Sequence, residues 1–309
     1  MKKESKILIV GHQDSVENSL LQYLQGQQYK NVFSSSGLKL DLLNQKKVFK
    51  FFDEKGIDYV FFGSIRSGGI TANQKFAAEF IYENLESQNN VIHAAYKAGV
   101  KKLLYLMSSC AYPKDCPQPI KEEYLLSGSL EETSEPYSVA KIAGVKLCQT
   151  YKKQYGFNAI VASPPTIYGP GSDMDLETAH VIGALIGKFH EAVCEKHKEV
   201  VVWGTGRPRR EFLYTDDFAK GCVFLMDNYN DPSMINMGCG YDVSIQELAF
   251  MIKEISNFKG KIVFDKDRPD GAMKKLLDNN RISNLGWRTQ IGLKEGIAKT
   301  YKWYSNLRK

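Results

Sequence analysis

The chain has 309 residues, 43% of them hydrophobic and 25% charged, enough apolar material for one large α/β unit or a large domain with a smaller partner, which excludes a disordered chain. The formal net charge of +6 comes from lysines and arginines scattered along the whole length; this excludes a nucleic-acid tail or a membrane-binding stripe, while a mild basic excess suits a phosphorylated substrate. No apolar run approaches the ~20 residues that span a bilayer, and the charged start Met1–Ser5 is unlike a signal peptide, so a cytoplasmic protein that contacts neither membrane nor nucleic acid is expected.

In chain order, Lys6–Val10 reads as a first strand running into Gly11. Tyr59–Phe62, Lys102–Met107 and Asn158–Ala162 read as further short buried strands, and Ala72–Ala98 and Pro136–Tyr155 carry helical apolar spacing. Such alternation builds βαβ units, so the chain is expected to be α/β, with a Rossmann-type doubly wound parallel sheet. Beyond Ser163-Pro164-Pro165 the rhythm loosens into turns at Tyr168-Gly169-Pro170-Gly171, Gly204-Thr205-Gly206 and Pro269-Asp270-Gly271. We therefore expect a dinucleotide-binding domain over 1–168, to which 212–232 returns, and a smaller C-terminal α/β substrate-binding region made of 169–211 and 233–309. Neither a Ser/Gly-rich linker nor a repeat separates them, so a cleft should lie between. Six cysteines at irregular spacings, with no Cys-x-x-Cys pair, disfavour both a metal site and a disulfide framework.

Ser108-Ser109-Cys110 follows directly on the apolar strand ending at Met107, an active-site address in an open α/β sheet. Tyr137 and Lys141 stand four apart on the helix that opens at Pro136, hence on one face, where an ammonium near a phenol favours phenolate and makes Tyr137 a usable general acid. Among 17 tyrosines such a pair arises readily by chance; the strand end upstream and the βαβ context are what give it meaning.

Further stretches point the same way: Gly11-His12, Phe80-Ile81-Tyr82-Glu83-Asn84, Ser108-Ser109-Cys110-Ala111-Tyr112-Pro113, Glu135 to Gly144, His180-Val181-Ile182, Phe189-His190-Glu191-Ala192, Val202-Trp203-Gly204, Arg210-Glu211-Phe212-Leu213 and Pro269-Asp270-Gly271. In these the whole chain resembles the extended short-chain dehydrogenase/reductases, and among them the GDP-L-fucose synthases, which epimerise and reduce GDP-4-keto-6-deoxymannose. The resemblance implies a reductase triad of Ser108, Tyr137 and Lys141, with Cys110 and His180 as the acid/base pair for epimerisation. A thiol and an imidazole can both exchange protons near neutral pH. It also implies NADP contacts at Gly11, Gln13, Asp14, Ser15, Val16, Asp41, Leu42, Lys141, Pro164, Thr166 and His180, and substrate contacts at Lys188, Trp203, Arg210 and Asp270. A GDP-sugar substrate and a homodimer follow from the same resemblance.

Three departures stand out. The family's Gly-x-x-Gly-x-x-Gly loop holds Gly11, Asp14 and Glu17 here; a charged side chain near the pyrophosphate and a bulky one at the helix–strand contact are both expected to weaken cofactor binding. Gln13 and Gly37 stand where the family has arginines for the 2′-phosphate, which leaves NAD possible beside NADP. Pro165-Thr166 replaces a Thr-Asn pair near the nicotinamide and removes a backbone donor. An intact catalytic set argues for the enzyme; the altered loop argues for an epimerase that never reduces, or for a binding or regulatory homologue.

Overall fold

The computed structural model describes residues 1–11, 15–176, 178–268 and 270–308. From the amino terminus come β1 (Lys6–Val10), α1 (Ser15–Gly26), β2 (Asn31–Ser34), α2 (Gln45–Lys55), β3 (Tyr59–Phe62), α3 (Ile70–Lys75), α4 (Ala77–Lys97), β4 (Lys102–Leu106), α5 (Glu135–Tyr155) and β5 (Ala159–Ser163). The second half holds β6 (Thr166–Tyr168), α6 (Val181–Cys194), β7 (Glu199–Trp203), β8 (Arg209–Arg210), β9 (Phe212–Tyr214), α7 (Thr215–Asn228), β10 (Ile235–Asn236), β11 (Val243–Ser244), α8 (Ile245–Ser256), β12 (Lys261–Asp265), β13 (Lys274–Lys275), α9 (Asn280–Asn284) and α10 (Leu293–Leu307).

Strands as apolar as Lys-Ile-Leu-Ile-Val in β1 and Lys-Leu-Leu-Tyr-Leu in β4 are buried on both faces, so they need helices on either side and pair in parallel. They form a six-stranded sheet in the order β10-β5-β4-β3-β1-β2, parallel at every pair, which is the Rossmann doubly wound arrangement. One face is covered by α2, α4 and α5, whose Val48, Phe52, Val91, Ile92 and Val145 join Leu8, Val10, Val60 and Leu103. The other is covered by α1 and α7, where Leu20, Leu24, Phe218 and Leu225 meet Ile7, Ile9, Phe61 and Leu104. Because β10 pairs with β5, the return to this sheet runs past residue 232, and the expected boundary at 232/233 is too early. Ile235 and Met237 are sealed in the core.

The expected helix over Ala72–Ala98 is two. Its first turns begin at Ile70, where the Asn73 side chain donates to the carbonyls of Gly68 and Gly69, at 2.9 Å each. It breaks at Phe76, whose φ of −121° and ψ of 36° are not helical, and Phe76 packs with Phe80 and Tyr137 instead. α5 follows expectation more closely: Pro136 fits its first turn, and Gly156, with φ of 69°, ends it in the left-handed region. The remaining segments build a second core from α6, α8 and α10 around the small β7–β12 and β6–β9 pairs. β8 is the middle strand of a third small sheet, antiparallel to β11 and parallel to β13.

Candidate active site

From β1 the sheet grows one way to β2, and on the other side through β3 to β4 and β5, so a crevice opens at the carboxyl ends of β1 and β3. Gly11 follows β1, and Gly63 and Ser64 follow β3. Onto this point α5 directs two side chains one turn apart. The Tyr137 hydroxyl lies 2.9 Å from Ser64 Oγ, and its ring packs edge-on against Phe80. Lys141 is 1% exposed; its Nζ donates to Gly63 O at 3.3 Å and sits 4.5 Å from the centre of the Tyr105 ring. Burial without a carboxylate partner lowers the Lys141 ammonium to about 7.

Beside the crevice a cavity of about 280 Å³ is lined by Gly11, Ser35, Ser36, Lys39, Leu40, Asp41, Leu42, Leu43 and Ile65, a fit for the adenosine end of a dinucleotide at the end of β2. Gln13 and Asp14 lie outside the described residues. Ser15 and Val16 form the first turn of α1, and Pro164 is buried just before Thr166 opens β6. Asp41 is ion-paired with Lys47 at 3.1 Å, and Leu42 is core-packed, its carbonyl accepting from Asn90 at 3.0 Å. Glu17, expected to spoil helix–strand packing, is instead 1% exposed. Its carboxylate turns to the end of β2, accepting from Ser34 Oγ at 2.8 Å, from Ser36 N at 3.3 Å and from Ser36 Oγ. The residue in place of the third glycine thus ties α1 to the turn that walls the cavity.

Cys110 lies in a single 3₁₀ turn after β4, with Ser108 Oγ accepting from its N–H at 3.2 Å and Ser138 Oγ of α5 donating to its carbonyl at 3.0 Å. It packs in the same small cluster as Tyr137 and Phe80. Burial alone would raise the thiol, but Lys275, a hydrogen bond to Ser108 and the Arg210 guanidinium together leave it below its ordinary value. Burial lowers Arg210 in turn, against the pull of Cys110, Glu131 and Asp270. His180 stands immediately before α6 on a segment pinned by Gly69 N donating to Thr178 O at 2.8 Å. Its surface is exposed, yet the protein packed around it lowers its pKa, which Asp173 opposes. Among the described residues no hydrogen bond links it to the other four.

The substrate positions fall into two groups. Lys188 Nζ donates to Val201 O at 3.0 Å and lies 4.9 Å from the Trp203 ring centre, with Arg268 also at 4.9 Å; Trp203 is 45% exposed, so an indole held by two cations remains open to a ligand. Asp270, expected to take sugar hydroxyls, is engaged within the protein: its carboxylate accepts from Thr205 N and Oγ1, both at 2.7 Å. Arg210 alone joins the Cys110 group. Ser64, Lys275 and Arg268 escaped sequence reasoning. Ser64 is one residue in a loop, and a lysine beside another lysine carries no periodic signal.

Residues 7–238 match the model of the NAD dependent epimerase/dehydratase family. GDP-L-fucose synthase 1 of Arabidopsis thaliana is 46% identical over 302 residues, covering 98% of this chain and 94% of that one. The crystal structure of a GDP-6-OMe-4-keto-L-xylo-heptose reductase from Campylobacter jejuni superposes with a TM-score of 0.94 at 36% identity, covering 99% of each chain. The GDP-mannoheptose C4 reductase from Campylobacter jejuni with NADP bound gives a TM-score of 0.89 at 38% identity, again over 99% of each. With a doubly wound parallel sheet, and a tyrosine and a lysine directed to its crevice, the chain belongs to the NAD-dependent epimerase/dehydratase family, as the resemblance in its motifs implies.

Proposed function

We propose that the protein takes a GDP-linked 4-keto-6-deoxy sugar, the mannose derivative or a related heptose, epimerises it at C3 and C5 and reduces C4 to give GDP-L-fucose or its analogue. Relatives across nearly the whole chain act in GDP-sugar metabolism. The single observation that carries this reading is the Tyr137 hydroxyl at the crevice, 2.9 Å from Ser64 Oγ, with Lys141 buried one turn on.

NADPH, when bound, supplies the hydride for C4; Gly11, Ser35, Ser36 and Lys39 line the cavity suited to its adenosine end. A C4 ketone acidifies the hydrogens at C3 and C5, and Cys110 and His180 are the pair that removes and returns them. Ser108 accepts from Cys110 N–H, and its hydroxyl, which faces the Cys110 thiol in the absence of substrate, turns to donate to the ketone oxygen when the sugar binds. Tyr137 delivers the proton to that oxygen as it becomes an alcohol. Arg210 and Lys188 suit the diphosphate, and Trp203 offers an apolar face.

Mixing the protein with GDP-4-keto-6-deoxymannose and NADPH, and following nicotinamide absorbance, is the test. Loss of absorbance with deuterium uptake at C3 and C5 in heavy water is expected; no oxidation of NADPH would remove the reductase. The same reading makes the working unit a cytoplasmic homodimer joined through α4 and α5, which leave Tyr82 and Val139 exposed. A sedimentation mass of one chain would contradict that part alone. Among the described residues no helix is long and apolar enough to cross a membrane.

A further inference from the structure

β2 ends at Ser34, and the chain after it folds back on itself. Leu38 N donates to Ser34 O, Lys39 N to Ser36 O and Leu40 N to Ser35 O, each at 3.0 Å, while Gly37 N donates to Ser34 Oγ at the same distance. Lys39 closes this turn with φ of 51°, in the left-handed region that a lysine enters at a cost and glycine enters freely. Held there, it lines the cavity of about 280 Å³ at the carboxyl end of β2. A charged residue kept in a sparsely populated backbone conformation at a cavity wall raises the question of what its charge serves.

The other polar side chains around that cavity are engaged within the protein. Ser35 Oγ accepts from Gly11 N at 3.2 Å and donates to Gly11 O at 3.3 Å. Ser36 Oγ donates to the Glu17 carboxylate, which Ser34 Oγ also reaches at 2.8 Å. Asp41, the one acid among the described residues that line the cavity, is paired with Lys47 at 3.1 Å. Lys39 is the one cation among them. It is exposed, and among the described residues no carboxylate lies within ion-pair distance of its ammonium. This donor set suits a phosphate at the adenosine ribose better than a ribose hydroxyl, since the hydroxyl needs a carboxylate that Asp41 and Glu17 have already turned to other partners.

We propose that Lys39 is the residue that selects NADP over NAD, its ammonium taking the 2′-phosphate of the adenosine ribose. Gly37, in the same turn, has no side chain to offer, and the hydroxyls of Ser35 and Ser36 hold the wall in shape. Glu17 serves the same end from α1 by fixing Ser34 and Ser36 beneath the turn that carries Lys39. The proposal rests on reading the cavity as the adenosine site and is independent of which sugar the enzyme takes.

The experiment is calorimetry of the full-length protein with 2′,5′-ADP and with 5′-AMP, two fragments that differ in one phosphate and carry no nicotinamide. The wild type is expected to hold 2′,5′-ADP ~10-fold or more tightly than 5′-AMP, the scale of a hydrogen bond to a charged group. Lys39→Met should bring the two affinities close to parity by weakening 2′,5′-ADP and leaving 5′-AMP unchanged, and Lys39→Arg should restore most of the difference. Lys39→Gly, which suits the left-handed backbone, should lose the same preference with a thermal midpoint no lower than that of the wild type, so that the loss belongs to the charge and not to the turn. Equal wild-type affinity for the two fragments, a preference unmoved in Lys39→Met, or loss of both fragments together in Lys39→Gly overturns the proposal. A phosphate preference that follows Lys39 in a protein that leaves GDP-4-keto-6-deoxymannose untouched supports the assignment and removes only the substrate reading.

Discussion

A phenol hands a proton to a ketone well only if the phenolate it leaves is stabilised, and Lys141 is the cation nearest in sequence on the same helical face. Tyr137→Phe keeps the ring against Phe80 and removes the acid, so NADPH oxidation should slow by about 10²-fold or more while deuterium exchange at C3 and C5 persists. Equal loss of both activities would mean that one group serves both steps. Lys141 also marks stability. An unfolded lysine holds its proton up to the ordinary 10.5, while the buried one holds it only below about 7. Between these values the unfolded chain binds more protons, and stability from this site rises with pH. Glu211 works in the opposite sense: burial, opposed by N–H donors from Leu277, Gly240 and Cys239, raises it from 4.5 to about 7, so its contribution is present below 4.5 and lost as pH climbs through 7. Thermal midpoints should therefore lose part of their pH dependence above 7 in Lys141→Met and between 4.5 and 7 in Glu211→Gln. Unchanged profiles would show that neither group titrates on unfolding. The Tyr137–Lys141 pair was readable because helical spacing is local; the Gly63–Ser64 turn that receives it was not, since a loop's position depends on the strands beneath it.

At the scale of elements, the glycine-poor loop was the feature most easily misjudged. Sequence pattern assigns Glu17 the place of a small residue and hence a clash, but a side chain's direction is set by the backbone around it, and here the carboxylate reaches across to β2. Glu17→Ala should release Ser34 and Ser36, cost roughly 2–3 kcal/mol from hydrogen bonds to a charged acceptor, and weaken NADPH binding measured by calorimetry; tighter binding would restore the view that this side chain obstructs the groove. The contact of α4 with α5 is equally exacting. A β-carbon at Gly144 would land on the Tyr105 hydroxyl and 2.7 Å from Gln88 Oε1, groups already joined at 2.7 Å, with Gln88 Nε2 also donating to Ala140 O at 2.9 Å. Gly144→Ala is expected to cost about 1–3 kcal/mol, read as a lower denaturant midpoint; no loss would mean the two helices shift apart freely. The break at Phe76 shows the same limit on local reading: apolar spacing runs through it unbroken, and only packing against Tyr137 selects two helices.

For the whole molecule, the chemistry depends on segments that meet only after folding. Cys110 belongs to the main sheet and Lys275 to a strand 165 positions later, so their encounter was invisible to any pattern of spacing, whereas the parallel core was legible from strand composition alone. What brings them together is a polar seam under the cleft. Glu122 accepts from Asn236 N at 3.0 Å and faces Arg281 at 3.4 Å; Asn236 in turn donates to Ile120 O at 2.8 Å and accepts from Tyr112 at 2.6 Å. Ile120 is the residue that pairs with Leu277. Burial raises Glu122 despite these donors, so the seam is costly to bury and more costly to cut, since removing the acceptor leaves the Asn236 amide without a partner in the core. Glu122→Ala should therefore destabilise the protein by about 2 kcal/mol and speed hydrogen exchange at Asn236, Leu276 and Asp278 while leaving the amides of β1 and β3 protected. Uniform acceleration throughout the sheet would instead mean that the seam and the Rossmann core open as one cooperative unit, and that the catalytic cluster has no independent hinge.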